Sequence, residues 1–135
     1  MEDIKYFVPQ IEDIRVGYEC ETYATFFNVD MNVQRQEWTK LQLIPNAVKS
    51  IISKDVPIDK VRTPYLTKKQ IEAEGWKFDY GLMDHMFFSK ECAALVWFGR
   101  SNSIEVQQPA NLVVYNGHCP SINEFRYITK KLLNI

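Results

Sequence analysis

Two histidines, His85 and His118, and three cysteines, Cys20, Cys92 and Cys119, are the soft metal ligands of this 135-residue chain. None of them falls at the two-to-four spacing of a zinc knuckle. His118 and Cys119 are adjacent, and two distant residues would have to complete a site. A turn into the last helix is the plainer reading. Cys92 with His85 would make a thiolate and its base, but Cys92 stands at the opening of an apolar strand, where cysteine commonly serves as a small buried hydrophobe. Glu19 and Glu21 share one strand face and could do acid and base work or hold a hard cation, yet at a strand edge such pairs are ordinarily solvated. Asn116-Gly117-His118 precedes a helix whose start could bind an anion. The chain has five glycines and neither a GxGxxG nor a GxxxxGK pattern, so it lacks the loop that cradles a nucleotide. No catalytic, cofactor-binding or metal residue is assigned.

The elements that would position any site are clearest after Pro64. Thr67 and Gln70 have the spacing of a capping box, Leu66 and Ile71 that of a hydrophobic staple, and Gly75 supplies a left-handed exit, so a short helix is expected over 68–74. Ser121 and Glu124 repeat the box spacing. Ile122, Phe125, Ile128 and Leu132 follow on one stripe, predicting a C-terminal helix with Lys130 and Lys131 at its carbonyl end. Between the helices, Trp76, Phe78 and Tyr80 alternate with polar residues, and 81–84 reads as a turn. Strands are then expected over 85–89, 93–98, 103–107 and 112–115. Their short connections favour antiparallel pairing.

The N-terminal part is less regular. A short arm or first strand is expected within 1–12, a strand over 14–21 from its alternation, and another over 38–43 after a loop through 28–36. A helical turn or two should follow over 47–52, capped by Asn46, with Val48, Ile51 and Ile52 turned inward. Residues 53–63 read as a connector and mark a weak subdivision of what is otherwise one α+β domain spanning 1–135. That domain is an antiparallel sheet with the C-terminal helix packed on one face.

Net charge is −1, with ten acids against seven bases up to Lys60 and seven against nine beyond it. Neither part is basic enough to announce nucleic-acid binding by charge. No apolar run approaches the roughly 18 residues of a membrane span. The three cysteines and the absence of a signal-like start lead to an expectation of free thiols in a reducing cytoplasm.

Eighteen aromatic residues, 13% of the chain, are the compositional oddity. Neighbouring pairs, Phe26-Phe27, Phe87-Phe88 and Trp97-Phe98, must point to opposite faces of a strand, so either the sheet is covered on both sides or a large ring meets water. Exposed aromatic patches mark binding surfaces. Trp76, Phe87, Phe88 and Trp97 are therefore candidate partner-binding residues. Lys68, Lys69, Arg126 and Lys130 join them, because a basic strip forms if the two helices lie side by side.

The segments Tyr65-Leu-Thr-Lys-Lys-Gln-Ile-Glu-Ala-Glu-Gly-Trp76 and Val114-Tyr-Asn-Gly-His-Cys-Pro-Ser-Ile-Asn-Glu-Phe-Arg-Tyr-Ile128 resemble a group of small proteins carried by bacteriophages and bacterial mobile elements. Ile14-Arg-Val-Gly-Tyr18 is also of a type common in that group. The resemblance implies a gene used during phage infection, in the cytoplasm of the bacterial host. It further implies a non-enzymatic inhibitor, of the anti-CRISPR kind, that binds a host protein or ribonucleoprotein complex. It carries over no catalytic residue. Two alternatives stand beside it: a nucleic-acid-binding regulator using the basic helix faces, with Trp76 or Tyr127 for stacking, and an enzyme or small-ligand-binding domain with a pocket near Glu19, His85 or His118.

Overall fold

In the computed structural model, which describes residues 4–28 and 33–133, the strands pair antiparallel throughout and the fold is α+β. Two units are distinguished, one ending at Pro64 and the other beginning at Tyr65. The division falls at the end of the Ser53–Thr63 stretch.

The first unit carries strands β1 (Tyr6–Phe7), β2 (Glu19–Asn28) and β3 (Val33–Gln42), helix α1 (Pro45–Ile52) and strand β4 (Val61–Pro64). Its sheet runs β1-β4-β2-β3. The strand expected over 14–21 begins only at Glu19. Gly17 takes a left-handed φ of +88°, and the Tyr18 amide closes a turn onto the Arg15 carbonyl at 3.1 Å, so the chain turns ahead of the ladder, with Ile14 and Tyr18 buried and Val16 exposed. The β2 and β3 pairing reaches Asn28 and Val33, which shortens the expected loop; residues 29–32 and the side chains of Phe26 and Phe27 lie outside the described residues.

Helix α1 starts at Pro45 rather than after an Asn46 cap. Ile44 occupies the cap position without a side-chain bond, and proline suits the first helical position because its missing N–H would have no intrahelical partner there. Ile51 is buried, Val48 half-buried, and Ile52 is 53% exposed, against the inward placement expected of all three. The end of the supposed connector is strand β4, whose Val61 and Thr63 are wholly buried. The Tyr18 hydroxyl meets Thr63 Oγ1 at 2.9 Å, satisfying both buried hydroxyls across 45 residues of chain.

The second unit is helix α2 (Lys68–Ala73), the meander β5 (Lys77–Leu82), β6 (His85–Lys90), β7 (Ala93–Phe98), β8 (Ser103–Gln108) and β9 (Leu112–His118), and helix α3 (Ile122–Leu132). The Thr67 box is complete. Its hydroxyl accepts from the Gln70 amide at 3.2 Å and its own amide donates to Gln70 Oε1 at 3.1 Å. Leu66 and Ile71 are both in the core, as a staple requires. At α3 the device differs. Ser121 Oγ accepts from the Asn123 amide at 3.2 Å and donates its proton to the Glu124 carboxylate.

Ile122, Phe125 and Ile128 of α3 pack on Phe88, Leu95, Ile104 and Val106 of the sheet, with Trp76 edge-on to Phe125 at 6.2 Å. Each such ring or branched chain removed from water contributes about 1.5–3 kcal/mol. Leu132 is 40% exposed, and Leu133 at the helix end packs on this core in its place. One face of the sheet is thereby committed to α3.

Candidate interaction surface

The register of the meander fixes what the other face presents. Directly opposed residues share a face, and three rows cross all five strands from β5 to β9. The first is Leu82, His85, Phe98, Ser103, His118. The second is Tyr80, Phe87, Val96, Glu105, Asn116, and the third Lys77, Ser89, Ala94, Gln107, Val113. A bulge at Asp79 brings Tyr80 opposite Phe87. Without that extra residue, alternation from Phe78 would place Tyr80 on the core face.

The β5–β7 end of this face is apolar and open. Tyr80 and Leu82 are 56% and 60% exposed, while Phe87, Val96 and Phe98 are half-buried. Tyr80 stacks on Phe87 with centroids 4.4 Å apart and planes 14° from parallel, and His85 stands edge-on to Phe98 at 4.6 Å. These contacts limit ring motion, so contact with a partner costs less side-chain entropy. The turn is Met83-Asp84, shorter than the expected 81–84. Met83 is 96% exposed with a φ of 58°, a region most non-glycine residues avoid. Asp84 holds the tip: its carbonyl accepts from the Gly99 amide at 3.3 Å and its carboxylate pairs with Arg100 at 3.1 Å.

Toward β8 and β9 the face turns polar. Glu105 accepts from Gln107 Nε2 at 2.9 Å and from Asn116 Nδ2 at 3.4 Å, and among the described residues no cation pairs with it. His118 and His85 share a row but stand three strands apart, about 14 Å at the usual inter-strand spacing, so they cannot serve one reacting atom. Glu19, in the first unit, accepts from Gln42 Nε2 at 3.1 Å. Glu21 pairs with Arg62 at 2.7 Å. Among the described residues no group of three His, Cys, Asp or Glu side chains could hold a metal ion.

The three thiols are free. Burial pushes Cys20 up to about 11, with the Glu21 charge adding to the effect. Burial, with Glu124, pushes Cys119 up further. Cys92 is exposed in the turn before β7, not buried at the strand's opening.

Of the aromatic candidates, Phe87 lies on the open face. Trp76 and Phe88 are core residues at 3% and 1% exposure, and Trp97 packs against the same core, its indole N–H without an acceptor among the described residues. The sequence assigns Phe87 and Phe88 to opposite faces but cannot say which face α3 takes, and it misses Tyr80 because the bulge inverts its side. Of the basic candidates, Lys69 and Lys130 are exposed, Lys68 lies over the Phe78 ring at 4.0 Å, and Arg126 pairs with Glu74. No helix among the described residues is long and apolar enough to cross a membrane.

No protein-family model matches the chain, and neither curated proteins nor solved structures yield a match.

Proposed function

We propose that the chain is a non-enzymatic binding protein that contacts a protein partner through the open face of the β5–β9 sheet, centred on Tyr80, Phe87, Leu82, Met83 and Phe98. The observation that carries this reading is the pair of adjoining aromatic rows on the side of the sheet opposite α3, with Tyr80 and Leu82 more than half exposed. Aromatic side chains held by their neighbours give large contact area for little ordering, and they dominate the energetic centres of interfaces. The resemblance to phage and mobile-element proteins supplies the partner class: a host defence protein or ribonucleoprotein complex, blocked by occupation of its surface in the manner of an anti-CRISPR.

Charge weighs against nucleic acid as the occupant of this face. Phosphate binding draws on lysine and arginine, whereas the three rows contain Lys77 and Glu105 as their charged residues, with the Asp79 carboxylate bonded to Ser89 at the bulge.

Pull-down from the bacterial host with the wild-type chain and with Tyr80→Ser/Phe87→Ser tests the reading. A partner held by wild type, lost with the double variant and retained with Lys69→Glu/Lys130→Glu is the expected result. Equal capture by wild type and the sheet variant overturns the surface. A captured partner released by nuclease and weakened steeply by salt points instead to nucleic acid on the helix faces.

A further inference from the structure

We propose that Glu105 and the aromatic rows beside it form a receptor for an arginine of the protein partner, flanked in that partner by an apolar side chain. This inference rests on the proposed binding role of the open face and names what that face selects.

Glu105 is a half-buried carboxylate on β8, between β7 and the edge strand β9, oriented by two amide donors, Gln107 and Asn116. Such a carboxylate keeps lone pairs to spare, because an ionised carboxylate has about four acceptor positions. It is directly opposed to Val96, and Val96 to Phe87. Phe98 is its diagonal neighbour, since Phe98 opposes Ser103 two residues before Glu105, and diagonal pairs lie about 7–8 Å apart. A cation at Glu105 therefore has an aromatic ring within reach of its stem or its plane. Guanidinium fits this combination better than ammonium: it is planar, lies flat on rings, pairs edge-on with a carboxylate and sheds water more easily. Val96, directly opposed, and Phe98, on the diagonal, are apolar and half-buried, which calls for an apolar neighbour beside the arginine. Charge complementarity chooses the occupant: Glu105 stands beside rings, no cation among the described residues pairs with it, and Lys77 of the same face is three strands away on β5.

The test is an amide NMR titration of the full chain with the peptide acetyl-Leu-Arg-Leu-amide and its citrulline counterpart, which keeps the shape and loses the charge. The arginine peptide is expected to shift residues 85, 87, 96, 98 and 105. Loss of a hydrogen bond between charged groups should weaken binding about tenfold or more, both for the citrulline peptide and for Glu105→Gln. Equal affinity for the two peptides overturns the arginine assignment while leaving the face as a binding surface. Shifts confined to other residues, or none, also overturn it. The peptide comparison needs no variant, so misfolding of Glu105→Gln cannot rescue the idea.

Discussion

Phe87 and Phe88 are chain neighbours on opposite faces of one sheet. Phe88 is 1% exposed among Leu95, Ile104 and Phe125, while Phe87 lies flat against Tyr80 on the side that α3 leaves open. The same residue type therefore serves stability at one position and a surface at the next. Phe88→Ala should cost about 3–5 kcal/mol, the range for a large ring removed from a packed core, and Phe87→Ala less than about 1 kcal/mol. Urea denaturation of the two variants measures the difference. Similar losses would mean that the open face is packed like an interior.

Arg62 lies 3.8 Å from the Tyr6 ring centre and 4.3 Å from that of Trp38, with Glu21 opposite it on β2 accepting from Nε at 3.0 Å and from an Nη at 2.7 Å. A two-residue strand such as β1 has few ladder bonds, and the Arg62 stack on Tyr6 adds a side-chain anchor to it. The pair is partly solvated, and Arg62→Ala is expected to cost about 1–2 kcal/mol after screening. It should also speed amide exchange at Tyr6 and Phe7. Arg62→Lys keeps the charge but not the plane and should recover less than half of the loss. Full recovery by lysine would leave the stacking without weight.

Local signals were the legible ones. Thr67 with Gln70 and the stripe Ile122, Phe125, Ile128 fix their helices within a turn of chain, and apolar runs separated by short turn segments between 85 and 115 mark the meander. What stayed hidden depends on contacts far along the sequence. Val61 and Thr63 read as linker because the strands that receive β4, at Tyr6 and Glu21, are some 40 to 60 residues away. The surface was half legible. Periodicity separates Phe87 from Phe88, but only the packing of α3 decides which one faces water, and the bulge at Asp79 leaves no sequence mark strong enough to place Tyr80 beside Phe87.

Thiol accessibility gives a count and a pH dependence. At pH 8 one cysteine, Cys92, should react promptly with an aromatic disulfide reagent, and all three should react in denaturant, because Cys20 and Cys119 are buried. Cys20 titrates at about 11 in the folded chain against 9.0 when free. The unfolded chain therefore loses this proton first as pH rises, and stability present below pH 9 declines up to about pH 11. That rise from 9.0 to about 11 corresponds to about 2–3 kcal/mol. Cys20→Ala should flatten that alkaline slope, although it also removes a small buried side chain. An unchanged slope would assign the alkaline loss to other groups.

Met83 places a fully exposed apolar side chain on a backbone that is left-handed at φ 58°, in a tip held by Asp84 through Gly99 and Arg100. Asparagine occupies that backbone region at lower cost than methionine. Met83→Asn should therefore raise stability by about 0.5–1 kcal/mol, the usual gain from relieving a strained turn position. If the tip touches the partner, the same change should weaken capture, because it removes an apolar side chain that makes no core contact. Thermal denaturation and pull-down read the two effects separately. A variant that is more stable and binds unchanged would take Met83 out of the interface while leaving the strain, and one that is less stable would show that the left-handed turn suits methionine in this tip.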